Sequence, residues 1–257
     1  MEALKVSNLC KTYVVNKRQN NVLRNINLTI NEGEMVGVMG PSGSGKTTLL
    51  YTVSGMDGAT AGKVDFWGKD LTALSANEMS DLRLEGMGFV FQQMYMLKNL
   101  SVYDNIILPA YQSKAGKSRA GRKMINDRAG LLMQKLGISE IADNDVNEVS
   151  GGQLQRACIC RSIINNPKIV FADEPTGALN KQNSFEVMEE LNHVNREEGT
   201  SILLVTHDMK VASRCERILY IEDGDVKDEI RLGKWESSQD NRSREREVDS
   251  WLIKMGW

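Results

Sequence analysis

The sequence predicts an α/β fold: a mainly parallel sheet core with an antiparallel β part and an α-helical subdomain insert. Three observations predict it. Short strand and helix patterns alternate near both ends of the 257 residues, a glycine-rich loop joins an apolar strand to a helix near Gly45, and the stretch from about 101 to 165 is helical in texture. Strand–helix alternation on both sides of a helical block implies parallel strands linked by crossovers, with the block as an insert.

Residues 3–9 and 22–30 alternate apolar and polar side chains, as half-buried strands do. After the turn Asn31-Glu32-Gly33-Glu34 comes a more apolar strand, Met35 to Met39, which runs into the glycine-rich loop. Residues 62–68 alternate again before a turn, and 88–91 read as a short buried strand. In the helical block, 117–136 is expected to bury Met124, Ala129, Leu132 and Leu136. Strands return at 168–172, 201–206 and 217–221, separated by helices near 182–197 and 208–214. After about 231 the chain is polar, then places Val248, Trp251, Leu252 and Met255 on one helical face, which reads as a short amphipathic helix, either docked on its own domain or turned to a partner or a membrane surface. These boundaries divide the chain into one large domain at 1–230 (core 1–91 and 165–230, insert about 92–164) and a polar extension at 231–257.

Bulk properties exclude several classes. With 32 basic against 34 acidic residues the formal charge is -2, and nucleic acid is not an expected partner. No stretch approaches the roughly 20 apolar residues of a spanning helix. Met1-Glu2-Ala3-Leu4-Lys5 does not read as a secretion signal, so a membrane role is expected to come through a partner. Cys158 and Cys160 are one residue apart, unlike zinc or redox spacings, so the four cysteines read as free thiols of a reducing cytoplasm.

Gly40-Pro41-Ser42-Gly43-Ser44-Gly45-Lys46-Thr47, followed by Thr48, fits G-x-x-x-x-G-K-[ST] between a strand and a helix. Glycines let the backbone curl so that successive N–H groups face phosphate oxygens, and the following helix adds its positive end. Lys46 can reach the β- and γ-phosphates, and the Thr47 hydroxyl can ligate Mg²⁺. The strand 168–172 ends in Asp173 and Glu174, and strand alternation would turn the two carboxylates to different sides. One would serve the Mg²⁺ shell and the other an attacking water. Ser150, before Gly151-Gly152-Gln153, is a plausible N-cap opening a second anion-binding helix start.

On these residues the chain resembles an ABC transporter ATP-binding subunit over about residues 3–230. The glycine-rich loop resembles the Walker A motif, Val149-Ser150-Gly151-Gly152-Gln153 the signature motif, and Asp173–Glu174 the Walker B end. Gln92 falls at the Q-loop, His207 at the switch histidine, and Tyr13 at the aromatic that stacks on adenine. The resemblance implies a RecA-like P-loop NTPase fold and a homodimer clasping two ATP between one Walker A and the partner's signature. It also implies Mg²⁺ held by Thr47, Gln92 and Asp173, Glu174 as general base, and His207 at the γ-phosphate. An integral membrane permease subunit is the implied partner, contacted near Gln92 to Leu100, with the chain peripheral on the cytoplasmic face of the membrane. Two departures stand out: Asn180 where the D-loop (Gly177-Ala178-Leu179-Asn180) usually ends in aspartate, which would weaken coupling, and Val149 for leucine.

Phe89-Val90-Phe91-Gln92 and the run from Ala172 to Leu179 most resemble the branch of macrolide exporters, lipoprotein-release systems and bacitracin-type antimicrobial-peptide resistance transporters. The expected task is therefore export or antimicrobial-peptide resistance. Two rivals stand beside it: a soluble single-cassette ATPase of the iron–sulfur cluster assembly type, and an adaptor that binds ATP but barely turns it over.

Overall fold

The computed structural model describes residues 1–177 and 179–257, with Ser238 described in its backbone alone. Ala178 of the D-loop run lies outside the described residues. In chain order the elements are β1 (Glu2–Val15), β2 (Arg18–Asn31), β3 (Met35–Met39), α1 (Lys46–Val53), β4 (Ala61–Phe66), β5 (Lys69–Asp70) and α2 (Ala76–Gly86). There follow β6 (Met87–Phe91), α3 (Val102–Gln112), α4 (Arg119–Lys135), α5 (Gly151–Ile163), β7 (Ile169–Asp173) and α6 (Lys181–Glu198). The chain closes with β8 (Ser201–Val205), α7 (Met209–Ala212), β9 (Arg217–Glu222), β10 (Asp225–Arg231) and α8 (Asn241–Lys254). These elements form two compact units, residues 1–79 with 201–257, and residues 80–200.

In the first unit β1 and β2 form a long antiparallel hairpin, and β4 pairs antiparallel with the other edge of β1. The hairpin outruns the alternation seen in the sequence at 3–9 and 22–30. Its far end is solvent-exposed, with Val14 and Val15 more than half exposed, so no buried face imposes a period there. It closes through Asn16 and Lys17, both left-handed at φ 51 and 62, the conformation that suits the twist of a tight hairpin. In a second sheet β3 lies between β8 and β9, parallel to both, and β10 returns antiparallel on β9. Every residue of β3 and β8 is buried, which is why their sequences are apolar apart from Ser201, whose hydroxyl accepts from Gly33 N at 2.9 Å and donates to Asn31 O at 3.3 Å.

An ion pair is buried where these sheets are stitched together. Arg217 at the start of β9 makes a bidentate contact with Glu34, Nε to Oε1 at 2.7 Å and Nη2 to Oε2 at 3.3 Å, and its Nη1 donates to Glu229 Oε2 at 2.9 Å. Both Arg217 and Glu34 are almost fully enclosed. Removing one partner strands the other charge away from water. Arg217→Met is therefore expected to cost about 3–5 kcal/mol of stability, measured by urea unfolding followed by circular dichroism.

The C-terminal helix α8 packs on the same unit through Val248, Trp251 and Leu252, all buried. Trp251 Nε1 donates to Asp228 Oδ2 at 2.9 Å, and its ring meets Tyr220 edge-on.

In the second unit β6 and β7 pair in parallel. Gly88 in β6 lets α5 lie against the strand, since a Cβ there would come 2.3 Å from Ser162 O. The buried face of α4 is Gly121, Ile125, Ala129, Leu132 and Met133. This corrects one expectation: Met124 is 72% exposed, because the buried stripe passes through its neighbour Ile125, about 100° around the helix. Ala129, Leu132 and Leu136 are buried as expected. The sequence reading also passed over α2. Its signal is Ser75-x-x-Glu78, whose side chains cap each other's backbone N–H groups.

Candidate functional site

The first unit carries Tyr13, the phosphate-loop residues and His207, and the second carries Gln92, Ser150 to Gln153, Asp173 and Glu174. Each half has a definite local geometry.

The loop leaving β3 is shaped by its glycines. Gly40, Gly43 and Gly45 all have positive φ, and a Cβ on Gly40 would sit 1.9 Å from Ile221 O, so only glycine fits at that position. Gly45 is the N-cap of α1, brings no side chain to cap it, and no acidic residue stands in its first turn. The positive end of α1 is thus left for an anion. Lys46 Nζ reaches back across the loop and donates to Gly40 O and Pro41 O, both at 2.8 Å. Ser44 Oγ is buried in the loop with no hydrogen-bond partner among the described residues. The half-buried Thr48 and the exposed Thr47 and Ser42 complete the same loop and first turn.

Tyr13 is held rather than loose. Its hydroxyl donates to Asp57 Oδ2 at 2.5 Å, while Lys11 Nζ lies 4.7 Å from the ring centroid and donates to Asp57 Oδ1 at 2.6 Å. Burial raises the Asp57 pKa, but the hydrogen bonds from Lys11 and Tyr13 outweigh it and hold the carboxyl below its ordinary value. Lys11 and Asp57 were not anticipated from sequence. Their partnership spans 46 residues and no local pattern marks it.

His207 is exposed and follows Thr206, whose N–H donates to Val38 O at 3.1 Å at the end of β3. The histidine is therefore anchored to the strand that feeds the phosphate loop.

In the second unit β7 delivers a nearly buried Asp173. The strand ends there, and Glu174 adopts φ 47 in a turn closed by Gly177 N donating to Glu174 O at 3.0 Å. The two carboxylates do not follow strand alternation: a left-handed residue, not the pleat, sets the direction of Glu174. Such backbone is costly for a residue with a Cβ and concentrates at functional sites. Gln92 comes to the same turn, because a Cβ placed on Gly177 would lie 2.8 Å from Gln92 Nε2.

Ser150 is the N-cap of α5 and shares a reciprocal capping box with Gln153, whose N–H donates to Ser150 Oγ at 3.3 Å. Gly151 is exposed beside it, and Gly152 admits Asn183 of α6, whose Nδ2 would be 2.6 Å from an added Cβ. Farther along α5, Arg161 donates to Met94 O and, at 2.9 Å, to Tyr95 O. Met94 and Tyr95 are both left-handed, at φ 59 and 46. Arg161 thus holds the strained segment after Gln92 to the helix that begins at Ser150. Sequence reasoning missed this arginine, for it sits outside every motif. Tyr95 and Leu97 of that segment are exposed.

Asn180 is the N-cap of α6, its Oδ1 accepting from Asn183 N at 2.9 Å. Asparagine and aspartate serve about equally well in that role, so the helix start is not weakened by the replacement.

A family model described as ABC transporter matches residues 23–177. A lipoprotein-releasing system ATP-binding protein, LolD, of Wigglesworthia glossinidia brevipalpis is 42% identical over 87% of this chain and 96% of its own length. A bacitracin export ATP-binding protein, BceA, of Halalkalibacterium halodurans is 37% identical, covering 91% and 90%. A macrolide export ATP-binding/permease protein, MacB, of Syntrophobacter fumaroxidans is 39% identical over 89% of this chain but only 32% of its own longer one. Among solved structures, the ATP-binding cassette MJ0796, in a dimeric post-hydrolysis state bound to ADP and Pi, superposes with a TM-score of 0.83 at 36% identity. That match covers 90% of this chain and 100% of the other.

Proposed function

The chain belongs to the ABC transporter family as an ATP-binding, ATP-hydrolysing subunit with a P-loop NTPase fold, and from that premise we propose that two copies close around two ATP to drive a separate membrane permease for export or antimicrobial-peptide resistance. The observation that carries the proposal is the phosphate loop: left-handed glycines, a helix start with no side-chain cap at Gly45, and Lys46 turned into the loop. The relatives add the setting. They are named for lipoprotein release, bacitracin export and macrolide export, which supports a transporter subunit over the iron–sulfur cluster assembly alternative.

In this reading the loop N–H groups and Lys46 hold the phosphates, and Tyr13 stacks on adenine. Ser150 and the start of α5 close over the γ-phosphate bound to the other copy, as anions favour helix N-termini. The residues present fit Mg²⁺, since Thr47 and Asp173 offer hard oxygen donors at a helix start and a strand end. Thr47, Asp173 and Gln92 would hold the ion, which neutralises phosphate charge when bound. Glu174 accepts a proton from the attacking water as its oxygen bonds to the γ-phosphorus and the bond to the bridging oxygen breaks, leaving ADP and phosphate. His207 contacts the transferring phosphoryl group. Gln92 packs over Gly177, and the Met94–Tyr95 backbone that follows it is tied by Arg161 to α5, so in this reading the segment links the state of the Glu174 turn to the signature helix.

No helix among the described residues is long and apolar enough to cross a membrane. The proposed place is peripheral, on the cytoplasmic face, through a permease seated against the exposed Tyr95 and Leu97. Purification from native membranes followed by mass spectrometry tests this. An integral membrane protein should accompany the chain in stoichiometric amount, and a wholly soluble, partnerless chain would refute the transport reading.

Tyr13→Ala should raise KM for ATP roughly tenfold with kcat little changed, because one base–aromatic stack is worth about 1–3 kcal/mol and acts on bound nucleotide and transition state alike.

A further inference from the structure

Arg244, in the first turn of α8, is buried and turned toward main-chain carbonyls. Its Nε donates to Ser213 O at 2.7 Å, its Nη2 to Cys215 O at 2.7 Å and Gly233 O at 3.0 Å, and its Nη1 to Leu232 O at 2.9 Å and Lys234 O at 3.4 Å. A guanidinium spread over that many carbonyls is fixed in position, as its planar fork is rigid. The helix beneath it is anchored too: Trp235 Nε1 donates to Asn241 Oδ1 at 2.8 Å, and the Arg214 guanidinium lies 5.2 Å from the Trp235 ring.

The gripped segment is the far end of α7, whose near end adjoins His207. Asp208 caps α7 by accepting from Lys210 N at 2.8 Å, and its own N–H donates to Thr206 Oγ1 at 3.0 Å. From there the backbone is bonded without a break: Ala212 N to Asp208 O at 3.0 Å, Ser213 N to Met209 O at 2.8 Å, and Cys215 N to Ala212 O at 2.9 Å. Residues 208–215 thus behave as one short rigid piece. Its first end is tied through Thr206 to β3, and its last carbonyls are tied to α8 by Arg244.

We infer that Arg244 is a positioning residue for His207, holding α7 so that the histidine is presented at a fixed place for the γ-phosphate. The C-terminal helix is then a brace for the hydrolysis step. The inference rests on the reading of His207 as a phosphate-contacting group. A displacement of about 1 Å at a reacting group can cost up to a hundredfold in rate, so a loosened α7 acts on kcat and not on nucleotide binding.

The test is a double-mutant cycle in the full-length chain, read by steady-state and single-turnover ATP hydrolysis and by binding of a fluorescent ATP analogue. Arg244→Met should lower kcat on the order of tenfold with analogue affinity changed by less than about twofold. In a His207→Ala background the same change should cost less than about twofold, since the group it positions is gone. Amide exchange over 207–215 should quicken in Arg244→Met. Trp251→Phe breaks the bond to Asp228 without touching α7, and should lower the melting temperature while leaving kcat within about twofold. If Arg244→Met does not fold, Arg244→Lys carries the same cycle, keeping the charge but reaching fewer carbonyls, with a smaller fall. Equal falls with and without His207, or an equal kcat loss in Trp251→Phe, would overturn the inference while leaving the ATPase reading intact. Absence of hydrolysis in the native chain would overturn both.

Discussion

Glu174→Gln is expected to lower ATP turnover on the order of 10²–10⁴-fold while leaving ATP binding almost unchanged. The amide matches the carboxylate in size and keeps an acceptor, but it cannot take a proton from water. The turn at Glu174 is set by its left-handed backbone and by the bond from Gly177 N, neither of which depends on the charge. The proposed phosphate loop, made by other residues, should keep its hold on the nucleotide. Binding therefore outlives catalysis. If γ-phosphate contacts close the proposed dimer and hydrolysis removes them, the variant should accumulate as an ATP-bound dimer. Phosphate release, analogue titration and light scattering with saturating Mg²⁺ and ATP check the three parts. Native-like turnover in the variant would remove Glu174 as the base, and barely measurable turnover in both proteins would revive the adaptor reading.

The second large effect is expected at Lys46. Its ammonium lies 2.8 Å from Gly40 O and Pro41 O, inside the curl of the loop. Lys46→Met keeps the length of the side chain but deletes the charge and its donors. Hydrogen bonds to charged groups are worth about 1.5–3 kcal/mol, so ATP affinity should weaken roughly 10- to 150-fold. Turnover should fall at least as far, because charge on the phosphoryl oxygens is also stabilised in the transition state. The loop should survive, since its shape comes from the left-handed glycines and from the fit of Gly40 beside Ile221 O. Isothermal titration with ATP and a thermal melt separate lost affinity from lost fold. The two variants differ in a useful way: one binds without turning over, the other binds weakly.

Motifs that act through their own backbone were legible. The phosphate loop, the Ser150 cap on α5 and the apolar β7 each depend on neighbours a few residues away, and spacing encodes such neighbours. The Asp173–Glu174 pair was legible as chemistry but not as geometry, because alternation holds only while the strand lasts and Glu174 lies one residue beyond it. Met124 failed for a related reason. A helical stripe read from apolar positions alone cannot choose between adjacent candidates, and contact with the rest of the unit selected Ile125. Asn180 shows the converse. The sequence marked it as a lost charge, whereas its place at the head of α6 makes it a cap.

By itself the sequence determined the α/β class, the order of the motifs and the chemistry expected of them, since all of these are local in the chain. Only the tertiary structure decided where the arginines go: Arg161 on the backbone after Gln92, Arg217 on Glu34 across 183 residues, and Arg244 on the end of α7. The physical reason is that a long cationic side chain is satisfied by whichever carbonyls and carboxylates folding brings within its reach, and nothing in sequence spacing records that meeting.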